Sequence, residues 1–70
     1  MTPEELKAAR VKLGLNGLEM ARALGLGAAT RVSEYENGAQ SPSGAVLILY
    51  AIYLDSPRTL KRVLDGRIEV

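Results

Sequence analysis

The sequence predicts an all-α domain of five short helices. Residues that can cap a helix recur at Thr2, Asn16, Ser43 and Ser56, and a proline that suits the first helical turn directly follows the first and last of them. Apolar residues spaced three and four apart follow most of these positions, and glycines end the segments. Residues 67–70 alternate polar and apolar side chains, which favours a frayed tail over a short strand while leaving both open.

The first two helices have clear starts and ends. Thr2 and Glu5 have the spacing of a capping box, and Gly14 ends the segment. The inner face of this first helix is predicted to hold Leu6, Ala9, Arg10 and Leu13. Asn16 can cap a second helix, and the glycines within 25–27 mark a tight turn after it. The buried stripe of the second helix is predicted to hold Met20, Ala21 and Leu24.

A third helix is predicted over residues 29–36, followed by the turn signal Asn37-Gly38. Val32 and either Tyr35 or Glu36 should face inward. Four side chains then remain on the outer face: Thr30, Arg31, Ser33 and Glu34.

The fourth helix, over residues 45–54, is apolar on all sides and therefore needs a second cover beyond the core. We expect Ala45, Ile48, Leu49 and Ile52 to face the core. The far side would then carry a dimer interface of Val46, Tyr50 and Tyr53, joined by Ile68 of the tail. Cover from the fifth helix and tail of the same subunit is the alternative.

The fifth helix starts at Ser56-Pro57 and closes at Gly66, with an inner stripe of Leu60, Val63 and Leu64. The whole chain, 1–70, is interpreted as one domain. Residues 1–54 form its core, and residues 55–70 provide the fifth helix and a tail expected to take part in dimerisation.

Composition excludes several classes of protein. The sequence has no cysteine and no histidine, which removes disulfides, the commonest metal ligands and most catalytic nucleophiles and bases. We therefore expect no enzyme, no cofactor and no metal site. A chain of 70 residues buries a modest core, so a partner subunit is the support that remains.

Charge is unevenly distributed along the chain. The formal charge is +2 over residues 1–33, −3 over 34–55 and +2 over 56–70. By itself this pattern is more typical of a solvated surface than of a nucleic-acid patch. The longest apolar run has ten residues, half of the roughly 20 that a membrane span needs, and we expect a cytoplasmic protein without a membrane partner.

Two helices joined by a short glycine-containing turn, here residues 17–37, are the arrangement that DNA-binding domains use, although an ordinary helical hairpin has the same spacing. Further residues match in order: Gly14-Leu15-Asn16, Met20-Ala21, Leu24-Gly25-Leu26, Val32-Ser33, Tyr35-Glu36-Asn37-Gly38 and Pro42-Ser43. From residue 3 to about 54 the chain resembles the lambda-repressor-like (XRE) helix-turn-helix family, which includes phage repressors of the Cro type.

The resemblance implies that the third helix enters the major groove of double-stranded DNA. Expected base contacts are Thr30, Arg31, Ser33 and Glu34, each weighed against a solvated surface residue. Expected phosphate contacts are Asn16, Arg22, Asn37, Gln40 and Ser43. Gly17 stands where the family has a DNA-contacting glutamine, and the turn before the third helix is one residue longer than usual.

Arg10 and Glu36 both lie on inward stripes, and the resemblance implies a partly buried, structural ion pair between them. One recognition helix reads few base pairs, so we expect a homodimer on an inverted repeat. The favoured function is repression of a small operon, by a phage Cro-like or anti-CRISPR-associated regulator. The alternative is an antitoxin that binds a toxin protein and represses its own operon.

Overall fold

The computed structural model describes residues 1–66, which form five α-helices, so the all-α class is confirmed. The helices are α1 (Pro3–Lys12), α2 (Gly17–Ala23), α3 (Ala29–Asn37), α4 (Gly44–Asp55) and α5 (Pro57–Leu64). The third helix extends one residue beyond the predicted 29–36. The predictions for the tail, including Ile68 at the dimer interface, lie outside the described residues. In the described part of the chain, no helix has the length and apolar character that crossing a bilayer requires.

Local side-chain bonds set most helix starts. The predicted capping box at Thr2 is present, and Asn16 forms a second one with Glu19, whose backbone N–H donates to the Asn16 side chain. Ser43 accepts from the backbone of α4. Ser56 differs from the expectation, since its hydroxyl lies 2.9 Å from the Thr59 hydroxyl and caps no backbone N–H of α5.

The helices pack around one core. α2 and α3 lie against each other, α1 packs on α3 and α4, and α5 packs on α4 and α2. Buried core residues come from every helix: Leu6, Ala9, Met20, Ala21, Ala23, Leu24, Val32, Tyr35, Val46, Tyr50, Tyr53 and Leu60. Within residues 1–66, α5 therefore covers part of the core of its own subunit.

The face of α4 that meets the core was predicted wrongly. Val46, Tyr50 and Tyr53, expected at a dimer interface, are buried inside the subunit. The side chains of Ile48 and Ile52, expected in the core, are 61% and 41% exposed. A helix that is apolar all round has no polar stripe to set its orientation. Tyr50 and Tyr53 are the largest fully buried side chains of the described residues and fill this part of the core.

Of the other two residues of α4 that were expected to face the core, Leu49 does so and Ala45 does not. Ala45 is exposed and Leu49 is half-buried against the core. The outer face of α4, defined here by Ala45, Ile48 and Ile52, is thus apolar and lacks a cover from residues 1–66 over its most exposed positions.

Candidate nucleic-acid interface

The inner face of α3 is fixed by two buried residues. Val32 and Tyr35 lie in the core, as predicted. Since they are three residues apart on one side of the helix, the opposite side faces solvent. Thr30, Arg31 and Ser33 are exposed there, and Glu34 is half-buried. The structure thus presents the four predicted base-contact residues on the outer surface of α3.

Two open hollows flank α3 and divide that outer surface. We call the first the α1–α3 hollow. Its lining comes from α1, the start of α2 and α3, and consists of Lys7, Arg10, Gly17, Ala29, Thr30, Val32, Ser33, Glu36 and Asn37. The second, the turn hollow, is lined by the turn residues 25–28 together with Thr30, Arg31 and Glu34. Thr30 borders both, whereas Ser33 lines the first and Arg31 the second, so these two side chains lie at opposite edges of α3.

The expected ion pair between Arg10 and Glu36 is present and lies at the floor of the α1–α3 hollow. Arg10 Nε donates to Glu36 Oε2 at 2.8 Å and Nη2 donates to Oε1 at 3.1 Å. Arg10 Nη1 donates to the carbonyl of Leu15 at 2.9 Å. The hydrogen bonds to Glu36 raise the pKa of Arg10 above its ordinary value despite partial burial. Arg10 is therefore a positioning residue, with three of its five N–H donors engaged inside the protein.

Arg31 is held much more loosely. Its Nε lies 3.9 Å from Glu34 Oε1, a distance too long for a hydrogen bond, and the two side chains are 57% and 35% exposed. An exposed pair of this kind contributes little to stability. The donors of the Arg31 guanidinium are therefore accessible from solvent.

The five predicted phosphate contacts do not form one cluster. Asn37 lines the α1–α3 hollow, whereas Asn16, Arg22, Gln40 and Ser43 line neither hollow. All five are exposed. The side-chain oxygen of Asn37 accepts from the backbone N–H of Ala39 at 2.9 Å, which leaves its amide hydrogens to donate elsewhere.

Lys7 is the residue of this surface that sequence reasoning missed. It is exposed and lines the α1–α3 hollow from the α1 side. A signal was available, because Lys7 precedes Arg10 by three residues and so lies on the same side of α1. From the sequence, this side of α1 was expected to serve only the stability of the fold, through Arg10.

Gly17 leaves the family's glutamine position without a side chain. A Cβ built there would lie 3.9 Å from the Cβ of Ala29, an ordinary contact distance. Space therefore permits a side chain at this position, and the glycine is not required by packing.

The buried hydroxyl of Tyr50 is the second feature that sequence reasoning missed. Within residues 1–66 its oxygen has no hydrogen-bond partner. Burial raises the pKa of Tyr50 to about 12, and the negative charge of Glu36 adds to the increase. The hydroxyl of Tyr53, in contrast, donates to the carbonyl of Ala23 and ties α4 to α2.

A two-helix unit with a solvent-facing second helix is the arrangement found in DNA-binding domains of the helix-turn-helix class. The family model described as "Helix-turn-helix" matches residues 6–61, most of the chain. The chain therefore belongs to the XRE or lambda-repressor-like helix-turn-helix family, whose members are DNA-binding transcription regulators. Neither the search of curated proteins nor that of solved structures found a match.

Proposed function

We propose that this protein represses transcription by binding an inverted repeat in double-stranded DNA as a homodimer. Each subunit would insert α3 in the major groove. The observation that carries the proposal is the orientation of α3, whose buried Val32 and Tyr35 leave Thr30, Arg31 and Ser33 facing solvent. Regulation of a small operon, of the phage Cro-like or anti-CRISPR-associated kind, is the role that we assign to it.

Base recognition is assigned to the outer surface of α3. The loosely held Arg31 can donate two hydrogen bonds to guanine O6 and N7. Thr30 and Ser33 can contact bases or the methyl group of thymine, and Glu34 can accept from cytosine N4. Because Arg31 and Ser33 lie at opposite edges of α3, they are expected to read different base pairs.

Contacts with the phosphate backbone of the DNA are assigned to exposed residues around α3. Asn16, Arg22, Asn37, Gln40 and Ser43 are exposed side chains able to donate to phosphate oxygens. Such contacts position the protein without reading sequence. Among these five residues, only Arg22 is charged. Binding should therefore depend only moderately on salt for a DNA-binding protein.

The homodimer is assigned to the outer face of α4. Val46, Tyr50 and Tyr53 are unavailable because they fill the core. Ile48 and Ile52 are the large apolar side chains of α4 that remain exposed. None of the residues of the outer face is charged, so a two-fold contact between two copies brings no like charges together. A second copy therefore fits this surface better than a charged partner does.

A mobility-shift assay tests the central proposal. The probes are the DNA upstream of the protein's own coding sequence and a duplex selected by the wild type from a randomised pool. We expect a shift that Arg31→Ala weakens by about 10-fold to 100-fold, the effect of losing one bidentate base contact. Arg58→Ala on α5 is the matched control, since Arg58 is an exposed arginine that lines neither hollow beside α3.

The outcomes separate the candidate functions. Absence of any shift at modest salt contradicts DNA binding. An equal loss in Arg31→Ala and Arg58→Ala contradicts base recognition by α3. Co-purification of a neighbouring gene product at equal stoichiometry favours the antitoxin alternative over a stand-alone repressor.

A further inference from the structure

We propose that the α1–α3 hollow binds a phosphate of the DNA backbone and that Lys7 of α1 is the cation that holds it. This inference rests on the proposed DNA binding and adds a contact outside the helix-turn-helix unit. It assigns to α1 a direct part in binding, beside the structural part that Arg10 plays.

The position of Lys7 follows from the packing of α1 on α3. Lys7 and Arg10 are three residues apart and share one side of α1. Across the hollow, Thr30, Ser33 and Asn37 are spaced three and four residues apart on α3. Two polar helix faces thus line one concave surface, which includes Thr30 and Ser33, two of the side chains expected to read bases.

The charges of the hollow leave Lys7 as the available cation. Among its lining residues, Glu36 carries the negative charge and is already bound by two hydrogen bonds from Arg10. The third bonded donor of Arg10 reaches the carbonyl of Leu15. In residues 1–66 no ion pair involves Lys7. The net formal charge of Lys7, Arg10 and Glu36 is +1, located at the exposed rim.

Neutral donors complete the site. Asn37 supplies amide hydrogens that its bond with Ala39 does not use, and the hydroxyl groups of Thr30 and Ser33 can donate to the phosphate where they do not contact a base. The hollow has a volume of about 560 Å³ and opens to solvent, which accommodates a phosphodiester of one strand. An ammonium beside neutral donors is a chemical environment suited to a phosphate group.

The salt dependence of DNA binding tests this site. Affinity for a random-sequence duplex of about 30 base pairs is measured over a range of salt concentrations for the wild type, Lys7→Ala and Lys12→Ala. Lys12 is the matched control because it is an exposed lysine of the same helix that lines a different groove, beside α5. Lys7→Arg, which keeps the charge, is the rescue variant.

We expect Lys7→Ala to lower the salt slope, the decrease of log affinity per unit of log salt concentration, by about 0.9 per bound subunit. The variant should also bind duplexes of every sequence more weakly, to a similar extent. Lys7→Arg should keep the wild-type slope, and Lys12→Ala should leave it unchanged. Equal slopes for Lys7→Ala and the wild type would overturn the site while leaving the proposed function intact. Failure of the wild type to bind any duplex would instead contradict the proposed function.

Discussion

Arg10 on α1 and Glu36 on α3 face each other with two parallel hydrogen bonds, of 2.8 Å and 3.1 Å, across 26 residues of sequence. Their side chains are only 19% and 11% exposed. Two parallel hydrogen bonds of this kind fix both the distance and the relative orientation of the guanidinium and the carboxylate. The pair therefore constrains the position of α3 against α1, and α3 carries the side chains proposed to read DNA.

Removing one member of this pair should destabilise the fold. Arg10→Ala leaves Glu36 partly buried without its cation, and we expect a loss of about 3 kcal/mol in the free energy of unfolding by denaturant. The double variant Arg10→Met/Glu36→Leu should be more stable than the single variant, because no isolated charge remains. A loss below about 1 kcal/mol for Arg10→Ala, with Glu36 intact, would show that the pair does not hold α3.

Two buried tyrosines of α4 should respond in opposite ways to loss of their hydroxyl groups. Tyr53→Phe removes the bond to the carbonyl of Ala23, with an expected cost of about 1 kcal/mol. Tyr50→Phe removes a hydroxyl that has no partner in residues 1–66, so stability should stay equal or rise by up to about 1 kcal/mol. Denaturant unfolding of the two variants checks the contrast, which fails if Tyr50→Phe is the more damaging change.

Tyr50 should also make the fold sensitive to high pH. Its pKa is raised from about 10 in the unfolded chain to about 12 in the fold, so the folded state binds the phenolic proton more tightly. The resulting stability is complete below pH ~10 and is lost as the pH rises through ~12. Unfolding free energies across this window should fall more steeply for the wild type than for Tyr50→Phe. Parallel curves would contradict the raised pKa.

The sequence and the structure agree where local chemistry decides the outcome. The capping box at Thr2 and the inward position of Val32 depend on bonds or periodicity within a few residues, and both were predictable. The ion pair joins residues far apart, and the family resemblance was needed to expect it. The orientation of α4 was not predictable, because its uniform apolarity gives no direction and the burial of Tyr50 is decided by the neighbouring helices. Lys7 was missed because its relevance depends on the packing of α1 against α3.

Glu34 should weaken non-specific DNA binding by the wild type. Its carboxylate lies 3.9 Å from Arg31 and faces the same hollow, where it competes with phosphate for the cation and repels the backbone. We expect Glu34→Gln to tighten binding to a random duplex by about threefold to tenfold at low salt, with less effect at high salt. Glu4→Gln, an exposed change in the first turn of α1, serves as the control for net charge. Equal gains in both variants would assign the effect to net charge rather than to the position of Glu34.

The outer face of α4 should decide the oligomeric state. Ile48→Asp places a charge at the most exposed large apolar position of α4, and burying it in a two-fold contact would bring two carboxylates together without partners. Sedimentation equilibrium at micromolar concentration should therefore give a dimer for the wild type and a monomer for the variant. Val11→Asp on α1 is the matched control, because Val11 is 62% exposed and lies on another helix.

On an inverted repeat, the Ile48→Asp variant should occupy each half-site independently, since the protein contact that couples them is lost. A wild-type monomer, or an Ile48→Asp variant that remains dimeric, would exclude this face as the dimer interface.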